Sequence, residues 1–309
     1  MASLQLTDRL GRGHVPRFEG RVVERPDVRI LVRDEALPGA TRDDTDQRVP
    51  LLLLHGLGLD HSTWDPVADR LLRAGHRVVR PDMRGHGRSG GPGATYRLHD
   101  LATDVLGVMD ALEIRSAHVV GHSLGGTVGF QLALGEPERV RSLALLGSLV
   151  AGQTPPPDFL AWAGLLLELV PRGLPALLDA LPGTAPYRHH LTDPDLAAEV
   201  RRVVGTSLHA AAFLPENLAD TQAVATTSPT PWDRGRAGGL RVPLLTLDGA
   251  HDPVVSGVED PTRDHVPGAR GIVLEGAGHL ALLEQPFAVA RHLDEFVAAQ
   301  QAGVPAGAG

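Results

Sequence analysis

The 309-residue sequence contains no cysteine. Disulfide bonds, thiolate metal sites and a cysteine nucleophile are therefore excluded. An excess of basic residues is also missing, because the formal net charge is −8 at pH 7. Binding to nucleic acid phosphates needs a basic face, so we expect no nucleic-acid partner. Hydrophobic residues make up 42% and charged residues 21%, the balance of an ordinary globular protein.

Long apolar runs are missing as well. No stretch reaches the 18 or so consecutive apolar residues typical of a transmembrane helix, so we expect no membrane span. The opening MASLQLTDRL does not have the basic-then-apolar pattern of a secretory signal, which favours a cytoplasmic location. There is no His-Glu-x-x-His motif, and we expect neither a metal nor an organic cofactor.

What the sequence does contain is a series of short apolar segments with the length of strands. Two of them, RVVER and VRILVRDEAL, are joined by the turn Pro26-Asp27 and predict a hairpin at a sheet edge. Six more have the continuous apolar character of strands buried on both faces of a parallel sheet. These six are VPLLLLHG, HRVVRPD, SAHVVGHS, VRSLALLGS, VPLLTLDG and RGIVLEG. Amphipathic stretches of helical length lie between most of them, so we predict an α/β fold with a mostly parallel eight-stranded sheet flanked by helices.

The strand signals stop between about residues 148 and 241, where the chain is rich in leucine and proline. Proline ends a helix quickly, so this interval predicts several short helices that form an inserted lid. The predicted organisation is then an N-terminal arm, a core in two pieces, the lid between them and a flexible tail. The corresponding ranges are 1–20, 21–147 with 242–300, 148–241 and 301–309.

The segment GHSLGG places Ser123 between Gly121 and Gly125, after a predicted strand and before a predicted helix. A serine hydroxyl in an ordinary buried strand would only cost desolvation, whereas glycines at these positions allow a turn tight enough to expose it. This is the context of a nucleophile elbow. The amide of Leu124 would then lie at a helix N-terminus, where unpaired N–H groups favour an anion.

A serine nucleophile needs a base and a carboxylate, and both are expected in loops that follow later strands. The loop after the last predicted strand supplies His279, and the loop after the preceding strand supplies Asp252. We favour Asp252 over Asp248, which lies at the end of its strand, and His279 over His251 and every other histidine. The order Ser, Asp, His agrees with loops that leave the carboxyl ends of parallel strands.

The loop after the first long strand, HGLG at 55–58, is the expected source of a second oxyanion donor, the N–H of Leu57. We assign His55 a structural role in holding this loop. The loop lacks the third glycine of a dinucleotide-binding motif, so a nucleotide cofactor is not expected.

With these motifs the chain resembles the α/β-hydrolase fold superfamily over roughly residues 20 to 300, the lid excepted. Five segments in order carry the resemblance: HGLG, RPDMRGHGRS, GHSLGG, GAHDP and GAGH. The resemblance implies structural roles for Asp82, Arg84 and His86. Because Ser123 stands where dehalogenases and epoxide hydrolases of this fold carry aspartate, those activities are not expected. Members of the fold that cleave carbon–carbon bonds often have asparagine immediately before the serine. This chain has His122 there, which weakens an assignment to carbon–carbon bond cleavage without excluding it.

The function favoured by these residues is hydrolysis of a carboxylic ester, lactone or thioester through an acyl-enzyme. One alternative is the same triad in acyl transfer, cyclisation or a cofactor-free perhydrolase reaction. A further alternative is a ligand-binding protein on a hydrolase scaffold. The lid residues Phe159, Trp162 and Leu166 are candidates for an apolar substrate pocket, although such residues also hold lid helices together.

Overall fold

A computed structural model of the chain describes most of the predicted core and part of the predicted lid. The described residues are 20–37, 49–90, 97–148, 193–206, 239–255, 266 and 268–302, with isolated helical positions at 157, 161, 165, 168, 176 and 180. The predicted arm up to residue 19, the predicted tail beyond residue 302 and the predicted pocket residues Phe159, Trp162 and Leu166 lie outside these ranges. The first two residues of the predicted tail, 301 and 302, continue the helix Pro286–Ala302.

The core is one eight-stranded sheet. Its strands β1 to β8 are Arg21–Glu24, Arg29–Glu35, Leu51–Leu54, Val78–Pro81, Ala117–His122, Val140–Leu146, Leu244–Gly249 and Arg270–Leu274. They lie in the order β1-β2-β4-β3-β5-β6-β7-β8. Strand β2 is antiparallel to both of its neighbours, and strands β3 to β8 are parallel to one another. The predicted α/β fold and its edge hairpin are confirmed.

Helices cover both faces of the sheet because the central strands are apolar on both faces. In β3 the side chains of Leu51 and Leu53 join one buried cluster, and those of Leu52 and Leu54 join the other. The described helices α1 to α6 are Asp65–Arg73, Leu98–Ala111, Leu124–Gly135, Pro194–Thr206, Ala281–Glu284 and Pro286–Ala302, with 3₁₀ helices at His61–Trp64 and Pro137–Arg139. Helices α1 and α6 pack into the first cluster, and α2 and α3 into the second.

The strand order reverses direction at β3. The chain passes from β3 to β4 on one side and then returns to β5 on the other side. Ligands of open α/β sheets bind outside the carboxyl ends of the strands at such a point, because the two connections diverge and leave a crevice. We therefore expect the functional site at the loops that follow β3 and β5.

Helix α4 lies within the interval in which the sequence predicts the lid. Its first turn is capped by Asp193, whose Oδ1 accepts hydrogen bonds from the amides of Asp195 and Leu196. Leu196 is buried in the cluster of α1 and α6, so α4 is packed onto the core. The outer limits of the lid stay a prediction. Within the described residues, no helix has the length and apolar character that crossing a membrane requires.

Candidate active site

Ser123 follows β5 directly and has a backbone conformation rarely adopted by residues other than glycine. Its φ is 52° and its ψ is −119°. Its amide still donates to the carbonyl of Leu146 in β6 at 2.9 Å, and its own carbonyl accepts from the amides of Gly126 and Thr127. The chain thus changes from strand to helix at this one residue. A φ above zero at a serine is strained, and such strain is concentrated at functional sites.

The two glycines of the predicted elbow are required by close backbone approaches. A Cβ at Gly121 would lie 2.3 Å from the carbonyl oxygen of Gly125, inside the turn. A Cβ at Gly125 would lie 2.3 Å from the carbonyl oxygen of Leu54, at the end of β3. Helix α3 therefore begins in contact with the carboxyl end of β3, as the strand order requires.

His279 and Asp252 form a buried hydrogen-bonded pair. The Nδ1 of His279 lies 3.0 Å and 2.9 Å from the two carboxylate oxygens of Asp252. A carboxylate only accepts, so Nδ1 carries the proton and Nε2 is left with a free electron pair. Asp252 is 0% exposed and His279 is 5% exposed. The amide of Val254 also donates to Asp252, at 2.8 Å, which holds the carboxylate in place.

Asp248 and His251, the alternative candidates for the acid and the base, have other surroundings. Asp248 is still inside β7, and its Oδ1 accepts a hydrogen bond from the amide of Gly147 at 3.3 Å. His251 is exposed, and its amide donates to the carbonyl of Ala277. The structure therefore places Asp252, and not Asp248, against His279.

Gly147 is a contributor to the site that sequence reasoning missed. It follows β6, has a φ of 53°, and passes under the acid–base pair. A Cβ at this position would lie 2.5 Å from Oδ2 of Asp252 and 3.1 Å from Nδ1 of His279. The glycine thus leaves the space that the pair occupies. The pattern Leu-Gly-Ser after a strand was the available signal, but it is common at strand ends.

Glu284 was also missed. Its carboxylate accepts a hydrogen bond from the amide of Gly278, next to His279, so the first turn after the loop at 275–280 holds that loop. We refer to residues 275–280 as the β8 loop. No spacing rule separates Glu284 from the other acidic residues of the sequence, so this contact required the structure.

The loop after β3, residues 55–60, is held by a fully buried histidine. His55 Nδ1 donates to the carbonyl of Gly56 at 2.9 Å, and its Nε2 accepts from the amide of Met83 at 2.9 Å. Burial lowers the pKa of His55, so the ring is neutral, as this pairing requires. We call residues 55–60 the β3 loop. Its conformation agrees with the structural role expected for His55.

Leu57 of the β3 loop and Leu124 at the start of α3 are both partly buried. Within the described part of the chain, neither backbone amide has a hydrogen-bond acceptor. The segments that carry them meet where Gly125 touches the end of β3. Two unpaired amides in such a place can bind an oxyanion.

The loop after β4 holds the 3₁₀ helix His61–Trp64 through Asp82. Its Oδ1 accepts from the amide and from Nδ1 of His61, at 2.8 Å and 2.6 Å, and its Oδ2 accepts from the amide of Arg88. Burial alone would raise the pKa of Asp82, but the hydrogen bond and charge of His61 outweigh it and the pKa is lowered. These contacts fit the structural role that the resemblance implied.

Asp60, His61 and Asp82 could offer three metal-ligand atoms within 4.8 Å of one another. The same atoms already form hydrogen bonds: Asp60 Oδ1 accepts from the amide and hydroxyl of Ser62, and Asp82 accepts from His61. Hydrogen bonds among these neighbouring protein groups thus account for the cluster.

Comparison with known proteins places this arrangement in a family. A family model described as alpha/beta hydrolase fold matches residues 49–286. The crystal structure of the enol-lactonase from Burkholderia xenovorans LB400 superposes with a TM-score of 0.73 and 27% identity, covering 90% of this chain and 100% of that chain.

Curated relatives match over shorter stretches. Rhodomycin D methylesterase DauP from Streptomyces sp. strain C5 is 41% identical over 123 residues, which cover 38% of this chain and 41% of that protein. The 2-hydroxymuconate semialdehyde hydrolase of Pseudomonas sp. strain CF600 is 40% identical over 109 residues, which cover 34% of this chain and 38% of that protein. The chain thus matches only about two fifths of the length of these relatives.

Proposed function

The chain belongs to the α/β-hydrolase fold family, and from that premise we propose that it is a serine hydrolase that cleaves a carboxylic ester, lactone or thioester through an acyl-enzyme. The observation that carries the proposal is the buried pair of Asp252 and His279, which lies beyond the same end of the sheet as the strained Ser123. Binding alone requires neither a serine in a strained strand-to-helix turn nor an oriented imidazole.

In the proposed mechanism, Nε2 of His279 takes the hydroxyl proton of Ser123 as the oxygen attacks the acyl carbon. The carbonyl oxygen becomes an oxyanion, which the amides of Leu57 and Leu124 bind. When the tetrahedral intermediate collapses, His279 returns the proton to the leaving group and the acyl group stays on Ser123. Water then attacks the acyl-enzyme, with His279 again accepting and returning the proton.

Asp252 has two tasks in this cycle. Its carboxylate accepts the Nδ1–H of His279 and so keeps Nε2 available for the proton of Ser123. It also stabilises the imidazolium that forms when His279 is protonated, because the two groups are buried together and little screened by water.

The substrate class is proposed from two sources. The relatives include proteins described as a methylesterase and an enol-lactonase, which favours an ester or lactone. The leucine-rich composition of the predicted lid favours a hydrophobic substrate. A cytoplasmic location and catalysis without a cofactor stay predictions from the sequence.

The first test is intact mass after incubation with a small fluorophosphonate. We expect one adduct on the wild-type protein and none on Ser123→Ala, because only the activated hydroxyl reacts. The Ser142→Ala variant is the matched control, since Ser142 is buried at the opposite end of the sheet and should leave labelling intact. A folded wild-type protein that gives no adduct would overturn the proposal and favour a ligand-binding role.

A panel of p-nitrophenyl esters of increasing acyl length extends this test. We expect turnover that rises with acyl length up to the size of the pocket and is abolished in Ser123→Ala. Product analysis in the presence of an added alcohol or hydrogen peroxide measures how the acyl group is partitioned. Exclusive transfer to the alcohol or peroxide, with no free acid, would replace hydrolysis by acyl transfer or perhydrolysis.

A further inference from the structure

His122 is a buried polar residue for which the proposed mechanism has no use. It is the last residue of β5, immediately before Ser123, and it is 1% exposed. An imidazole costs free energy to bury unless its polar atoms are paired. Its contacts therefore need an explanation.

One contact of His122 is with the proposed base. Its Nε2 lies 2.8 Å from the backbone carbonyl oxygen of His279, and the two rings are 4.8 Å apart between centroids. A carbonyl oxygen only accepts, so Nε2 of His122 carries a hydrogen and donates a hydrogen bond to this carbonyl. The strand that carries the nucleophile is thus hydrogen-bonded to the backbone of the base.

The opposite side of the ring meets the β3 loop. A Cβ at Gly56 would lie 2.8 Å from Nδ1 and 3.1 Å from Cε1 of His122. The ring is therefore packed directly against the backbone of Gly56, which immediately precedes Leu57. His122 fills the space between the β3 loop and the β8 loop.

We propose that His122 is a positioning residue that sets the placement of His279 and Leu57 relative to Ser123. Asp252 orients the ring of His279. The ring can keep this orientation and still move away from Ser123 if the backbone of His279 shifts. The hydrogen bond from His122 holds the backbone of His279. Because His122 is bonded directly to Ser123, this hydrogen bond also fixes the position of that backbone relative to the nucleophile. The inference rests on the proposed function, since it assigns a task within the same site.

The test compares His122→Leu with His122→Gln. Leucine removes the donor at similar bulk, whereas the glutamine amide can donate to the His279 carbonyl. We expect His122→Leu to lower kcat and the rate of fluorophosphonate labelling by about 10- to 100-fold with KM nearly unchanged, because displacement of a catalytic group by about 1 Å costs this much. We expect His122→Gln to recover most of the loss.

His118→Leu is the matched control, because His118 is equally buried in β5, four positions before His122, and pairs with Ser142 away from the site. It should lower the thermal midpoint of unfolding without changing kcat or the labelling rate. A folded His122→Leu protein with wild-type kcat, or a His122→Gln protein no better than the leucine variant, would overturn the inference. If the wild-type protein itself is not labelled, the proposed function fails first.

Discussion

At the scale of single residues, the identity of the acid is decided by a choice between two aspartates four positions apart. Asp248 lies in β7 and accepts a hydrogen bond from the amide of Gly147, whereas Asp252 lies past the strand and meets His279. Only a carboxylate at position 252 can hold the Nδ1–H form of the imidazole. The assignment of the acid therefore makes a prediction in which the two aspartates behave differently.

We expect Asp252→Asn to lower kcat by about 10⁴-fold, because an amide that donates to Nδ1 favours the wrong tautomer of His279. Asp248→Asn is the matched control and should retain activity within about tenfold, since Asp248 lies inside β7 and the carboxylate that meets His279 is that of Asp252. Turnover of a p-nitrophenyl ester measures both. The acid is wrongly assigned if the second substitution is the more harmful one.

At the scale of elements, ion pairs hold the loop after β4 to the rest of the core. Arg84 donates to Asp104 in α2 at 2.7 Å and to Asp27 in the β1–β2 turn at 2.9 Å. Burial alone would lower the pKa of Arg84, but the hydrogen bonds to these carboxylates outweigh it and raise the pKa. Burial in turn raises the pKa of Asp104, whose partner is therefore needed to keep it charged.

We expect Arg84→Met to lower the free energy of unfolding by about 3–5 kcal/mol, because Asp104 is then buried without its main partner. The double variant Arg84→Met/Asp104→Leu should recover part of that loss, since no carboxylate remains to be desolvated. Urea unfolding monitored by circular dichroism measures both proteins. Equal stability of the single and double variants would show that the pair does not carry this energy.

At the scale of the whole molecule, several histidines are buried in uncharged form. Burial lowers the pKa of His86 to about 3 and that of His118 to about 4, the latter with help from the charges of His76 and Arg141. Their ordinary value is 6.5. Between that value and the folded-state value, the unfolded chain binds more protons than the folded protein, so stability falls as the pH falls.

We expect the free energy of unfolding to decrease as the pH is lowered from 6.5 towards 4.5, by up to about 1.4 kcal/mol per pH unit for each such histidine. His118→Gln should reduce this slope by the contribution of one titrating histidine. The expectation concerns the slope and does not depend on how the substitution changes the absolute stability. Urea unfolding at half-unit pH intervals measures the slope. An unchanged slope in the variant would mean that His118 is protonated in the folded protein.

The fold was predictable because its elements are encoded locally. The continuous apolar segments predicted strands β3 to β8, and the two segments around the Pro26-Asp27 turn predicted the edge hairpin of β1 and β2. The expectation that all six apolar strands are buried on both faces was wrong for β8, which lies at the open edge of the sheet and is mostly exposed. The glycine spacing around Ser123 predicted the strand, turn and helix that the structure has. The contacts of Gly147 were not predictable, because they are with Asp252 and His279, which are distant in sequence. Glu284 contacts the nearby Gly278, but no spacing rule distinguishes it from the other acidic residues.

The sequence by itself determined the strands, the described helices of the core and the turn that carries Ser123, because apolar periodicity and glycine positions act over a few neighbouring residues. Only the tertiary structure decided which side chains meet. The strand order places the loops after β3, β5, β7 and β8 at one end of the sheet. His279 pairs with a carboxylate 27 residues away and with His122, 157 residues away, in contacts that exist only when the parallel strands are aligned.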